Sequence, residues 1–167
     1  KEEALRSTPK VMPYRVYINP EGAWLNGKPI LSNNEQEGKN LLTTLYKQMI
    51  GDYPKYYKMD GLCRLGFVVS EGDEKLGSKR AIMLFNHTSS IASDKRYLAS
   101  IADKDNYFPS PSIFVYTLPN IVTGEIAIRN HYYGETNFII LNERDDERIR
   151  QVTEAAFTDP TTTSAIA

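Results

Sequence analysis

The hydrophobic pattern changes period several times along the chain, and each change predicts an element. "YRVYI" (residues 14–18) alternates and is rich in β-branched and aromatic side chains, which predicts a strand. "AWLNGKPIL" (23–31) places Asn26-Gly27 between apolar neighbours. That pair tolerates positive φ at both turn positions, so the stretch predicts a tight hairpin. Ser32 and Glu35 have capping-box spacing, and Leu41, Leu45 and Met49 recur at i, i+4, i+8 up to Gly51, predicting a helix with a glycine cap. "DYPKYYKMD" (52–60) reads as a loop. A second helix is expected from about Asp60, with Leu62, Leu65 and Val69 as its buried face.

"AIMLF" (81–85) is a continuous apolar run, the signature of a central strand covered on both faces. "SDKRYLASI" (93–101) predicts a short helix, while period alone leaves "SIFVYT" extended or helical. A further helix is expected from Thr117-Leu118-Pro119 to Gly134, with Val122 and Ile126 at i, i+4 and Ile121 and Ile128 at i, i+7. It feeds the buried strand "TNFIIL". The last helix has Asp145, Asp146 and Glu147 in its first turn, which suits the positive end of the helix dipole, and Ile149, Val152 and Ala156 on its inner face. Strands alternating with helices predict an α/β domain with a mixed sheet of about five strands and helices on its faces. The organisation is an arm (1–13), one domain (14–157) and a polar, small-residue tail or linker (158–167).

Composition adds boundaries. The chain has 167 residues, 41% hydrophobic and 25% charged, enough for a sizeable core. Twenty basic residues stand against 21 acidic ones, a net charge of −1, so bulk electrostatics attract neither nucleic acid nor an acidic membrane surface. No apolar run approaches the roughly 20 residues of a membrane span. A single cysteine forbids an internal disulfide and points to a reducing compartment, the cytoplasm. One cysteine and two histidines make no Cys/His zinc site, and no Gly-rich phosphate loop points to a cofactor.

The block "SPSIFVYTLPNIVTGEIAIRNHYYGETNFII" carries more specific information. Ser110-Pro111, a helix opening at Pro119-Asn120, Gly124, the Ile126-Ala127-Ile128 patch and Gly134 before a strand together resemble the N-terminal half of β-ketoacyl synthases. These are the thiolase-fold condensing enzymes of fatty-acid and polyketide synthesis. "KYYKMDGLCRLGF" and "AIMLFNHTSS" are similar to that family's early helix and to its strand ending in small polar residues. The resemblance implies a thiolase-like N-terminal half and an acyltransferase family of the 3-oxoacyl-(acyl carrier protein) synthase type. It also implies a dimer through residues 136–141, and a ketosynthase-like partner or an acyl carrier protein as companions.

A condensing enzyme needs a cysteine where the strand meets the next helix, because the helix end lowers the thiol pKa and nearby N–H groups hold the oxyanion. Counting from Gly134 puts that position at Glu143. Asn142, Arg144 and Asp145 surround it, and Glu135 stands where the family has proline after the glycine. The resemblance therefore implies a domain that does not condense acyl groups alone and acts as scaffold or partner subunit. The alternatives are a fragment of an active synthase and a small-molecule binding module. Half a thiolase fold leaves apolar surface uncovered, at about 25 cal/mol per Å², so its other half is expected from a partner, a second copy or further sequence.

Asn142, Glu143 and His87 are the binding candidates, since all three follow strands and α/β sites collect at the C-terminal ends of strands. Glu143 also reads as a solvated first-turn carboxylate. His87 has no partner placed by the sequence. Cys63 lies on an apolar stripe beside Leu62 and Gly66 and reads as a core residue. Arg129 and His131 suit a helix C-terminus. Tyr53, Lys55, Tyr56, Tyr57 and Lys58 mix rings and charge in a way that suits nucleic-acid stacking, but without a basic excess they read as a loop packed on the core.

Overall fold

The computed structural model describes residues 14–32, 40–71 and 77–167. The expected arm and Glu35 of the capping box lie outside them. Six strands form two separate three-stranded sheets, not one mixed sheet of about five. The first is an antiparallel meander of β1 (Val16–Asn19), β2 (Gly22–Leu25) and β3 (Lys28–Ser32). Asn26 (φ 50°) and Gly27 (φ 79°) make the predicted tight turn between β2 and β3. Pro29 is tolerated because β3 is an edge strand.

The second sheet is wholly parallel, in the order β5-β4-β6, with β4 at Arg80–Asn86, β5 at Thr136–Ile140 and β6 at Ser164–Ile166. The run "AIMLF" is its central strand, as its unbroken hydrophobicity requires. Ile82 packs into the main core, while Ala81 and Met83 face a second cluster with Ala156. The expected tail at 158–167 is corrected: its last residues pair with Arg80, Ala81 and Ile82. Three residues of strand carry too little local pattern to be read, and only the waiting edge of β4 makes them extended.

The helices are α1 (Leu41–Met49), α2 (Gly61–Glu71), α3 (Ile91–Ile101), α4 (Pro111–Val115), α5 (Ile121–Asn130) and α6 (Asp146–Ala155). Asn40 caps α1 through Thr43 N–H, and Gly51 (φ 70°) ends it as predicted. The "DYPKYYKMD" loop contains a 3-10 turn, Pro54–Lys58. Its Tyr56 is buried and stacks on Tyr46 with ring centroids 4.0 Å apart. The tyrosine–lysine cluster thus supplies core rings. α5 is shorter than expected at both ends, because Asn120 precedes it and His131 (φ 55°) closes it in the left-handed conformation.

Two packing expectations change. The buried face of α2 is Cys63, Phe67 and Ser70, whereas Leu65 is exposed and Leu62 and Val69 are half-buried. On α5, Val122 and Ile126 are buried as expected, but Ile128 is exposed. Close helix approach occurs at Gly66, where a Cβ would stand 2.6 Å from Val122 Cγ1, while Gly124 has open space around it. Gly134 is also required, since a Cβ there would collide with the Arg80 carbonyl at the start of β4.

Candidate functional site

An apolar cleft of about 610 Å³ lies at the C-terminal end of β4. The α2 face of Leu62, Leu65, Gly66 and Val69 forms one wall, Ile149 of α6 another, and Ile166 closes one end. His87, Leu141, Glu143, Arg144 and Asp146 surround the other end. Of the three sequence candidates, the structure brings His87 and Glu143 to this cleft. Asn142 is exposed in the same loop and does not line it.

His87 is aimed by the turn that follows β4. The Asn86 amide donates to the Ser89 carbonyl at 2.9 Å, and Ser89 N–H donates back to Asn86 Oδ1 at 2.9 Å. This two-way clamp holds Ser89 at φ 53°, a conformation uncommon for a residue with a Cβ. The His87 Nδ1 lies 3.0 Å from the Leu141 carbonyl oxygen. A carbonyl only accepts, so Nδ1 carries the proton, and in the neutral ring Nε2 is left as an acceptor. Leu141 N–H in turn donates to the Asn86 carbonyl, so the loops after β4 and β5 are tied together.

Glu143 lies in the turn between β5 and α6, two residues before the α6 cap. Asp145 is that cap and accepts from Arg148 N–H, with Asp146 and Glu147 in the first helical turn. The positive helix end is therefore occupied by the protein's own carboxylates. Arg144 is held by Asp146 at 2.6 Å. Among the described residues Glu143 itself makes no hydrogen bond or ion pair. The arrangement offers an apolar slot with an imidazole acceptor and a carboxylate at one end. It offers no nucleophile.

The single thiol sits elsewhere. Cys63 is fully buried in the first turn of α2, its N–H donating to Asp60 Oδ1, and Ser93 donates to Asp60 Oδ2. Burial pushes the thiol up to about 12, aided by the negative charges of Glu125 and Asp60. A thiol so placed carries no thiolate near neutral pH. Beside it, Glu125 is buried and paired with Lys55 at 2.5 Å, and accepts from the Tyr53 hydroxyl at 3.3 Å. Arg129 does not serve the helix end as expected. It bridges Asp52 at 2.6 Å and Glu71 at 3.6 Å, tying α5 to α2 and the following loop. Among the described residues no group of three or more His, Cys, Asp or Glu side chains could hold a metal, and no helix is long and apolar enough to cross a membrane.

Sequence reasoning missed Ile166, assigned to a tail, and read the Leu62/Leu65/Val69 stripe as core. The available signal was that α2 carries two apolar stripes, one of them redundant once Cys63, Phe67 and Ser70 are buried. The chain matches no protein-family model, and no curated protein is similar enough to count as a relative.

Proposed function

We propose that this chain is a β-ketoacyl synthase-like subunit of a fatty-acid or polyketide type of pathway. It does not condense acyl groups itself and works as a scaffold or partner beside an active ketosynthase and an acyl carrier protein. The observation that carries this reading is Glu143, which stands between a parallel strand and a helix where a condensing enzyme needs its cysteine. Three acidic residues already occupy the helix end that would activate a thiol. Two further features support it. The Ser110-Pro111 pair opens α4, and Asn120 leads into α5 ahead of β5, in the order the resemblance requires. β5 is an edge strand, so residues 136–141 are placed to pair with a second copy.

The test is incubation of the chain with an acyl-pantetheine thioester and a malonyl donor, followed by intact-mass and product analysis. No acyl adduct and no 3-oxoacyl product are expected from the chain alone, together with saturable binding to an acylated carrier protein. A covalent adduct, or condensation without a partner, overturns the reading. The cleft favours a second reading, a binding module for an apolar small molecule. Retention of a free apolar ligand without any binding of carrier protein would select it.

A further inference from the structure

β4 is laddered on both sides, but over different lengths. β5 pairs with residues 82–86, and β6 only with 80–82. In a parallel ladder, successive residues turn their backbone groups to opposite sides of the strand. Ile82 N–H donates to the Glu135 carbonyl and the Asn86 carbonyl accepts from Leu141, so even-numbered residues face β5. On the other side, the Lys79 carbonyl accepts from Thr163. Phe85 therefore turns its N–H and C=O past the end of β6 and into the cleft, where no strand among the described residues meets it.

We infer that a partner protein inserts an extended apolar segment into this slot, parallel to β4 and in line with β6. The inference rests on the reading of the chain as a subunit that works beside a partner. The slot continues an existing ladder, so its register is already set by the Ile82–Ile166 pair. Its walls are apolar on both faces, with Val69 on one side and Ile149 on the other. An inserted strand is then apolar at successive positions, like any strand covered on both faces. A simple hydrocarbon chain would fill the walls but leave the Phe85 backbone groups unpaired. A polypeptide strand satisfies both requirements. Running parallel to β4, the segment leaves the slot beside Glu143, whose carboxylate has no partner among the described residues. A Lys or Arg directly after the apolar residues complements it.

The test uses the whole chain and the synthetic peptide acetyl-Val-Ile-Val-Ile-Lys-amide. Saturable binding is expected, with exchange of the Phe85 amide proton slowed at least about tenfold. A backbone N-methylated version should bind at least about tenfold more weakly. A peptide with Glu in place of its Lys should bind poorly to the native chain and recover on Glu143→Lys, a surface change that leaves folding intact. Equal binding of the N-methylated peptide overturns the inference. So does a Phe85 amide already protected in the free protein, whether by its own chain or by a second copy. An acyl-pantetheine that takes the cleft and excludes the peptide also overturns it, while leaving the ketosynthase-like reading intact. Condensation by the chain alone defeats that reading without touching the peptide result.

Discussion

The imidazole of His87 and the carbonyl of Leu141 lie 3.0 Å apart, joining the loops after two neighbouring parallel strands. His87→Ala removes this link but leaves the Leu141–Asn86 backbone bond. An exposed hydrogen bond contributes about 0.5–1.5 kcal/mol at most. The variant should stay folded, with a small loss of stability and faster amide exchange confined to residues 141–145.

Gly66 and Gly124 separate a packed glycine from an unpacked one. Gly66→Ala drives a methyl group into Val122 and should cost about 1–3 kcal/mol. Val122→Ala in the same chain should recover part of that loss. Gly124→Ala, with open space around it, should leave stability unchanged or raise it by up to about 1 kcal/mol through helix propensity. Urea unfolding of the three variants checks the order.

Cys63 gives the fold an alkaline limit. The unfolded chain releases the thiol proton near 9.0 and the folded chain near 12, so between those values the unfolded state binds fewer protons. Stability is then fully present below about pH 9 and falls as pH rises towards 12, by on the order of a few kcal/mol. Lys55, raised by its bond to Glu125, loses its contribution in the same direction as pH climbs beyond 10.5. Cys63→Ala should flatten the stability profile between pH 9 and 11. At neutral pH, iodoacetamide should label the native protein only after denaturant is added.

Glu143→Cys restores the element a condensing enzyme needs but not its surroundings. With Asp145, Asp146 and Glu147 at the head of α6, the new thiol should keep an ordinary pKa of about 8.5 or higher. Its acylation by an acyl-pantetheine should be no faster than that of a free cysteine. Replacing Asp145, Asp146 and Glu147 by Asn, Asn and Gln in the same variant should raise the rate, a comparison that stopped-flow thiol titration makes directly.

The elements that sequence reasoning found are those with strong local signals. Asn26-Gly27 defines its hairpin by backbone freedom alone, and the unbroken run at 81–85 needs cover on two faces. The buried state of Cys63 followed from its apolar neighbours. The elements it missed depend on distant partners. Two sheets in place of one, and a strand at 164–166, are set by what meets an edge. The exchange of Gly124 for Gly66 has the same origin, since a helical glycine shows its purpose only when the facing helix is known. At the site, Glu143 and His87 were legible because both follow strands. Asn142 was not separable from Glu143, since a one-residue difference in a turn decides which side chain reaches the cleft.

The pairing of β6 with β4 bridges 84 positions of sequence, as the bond from Thr163 to Lys79 shows. Closing so long a loop is entropically slow, and parallel pairing gives no local intermediate to speed it. On a ribosome, the open side of β4 must wait while α3 to α6 are synthesised and packed. The hydrophobic strand at the centre of the mature sheet is thus the stretch most exposed to wrong partners during biogenesis, and chaperone dependence should centre on it.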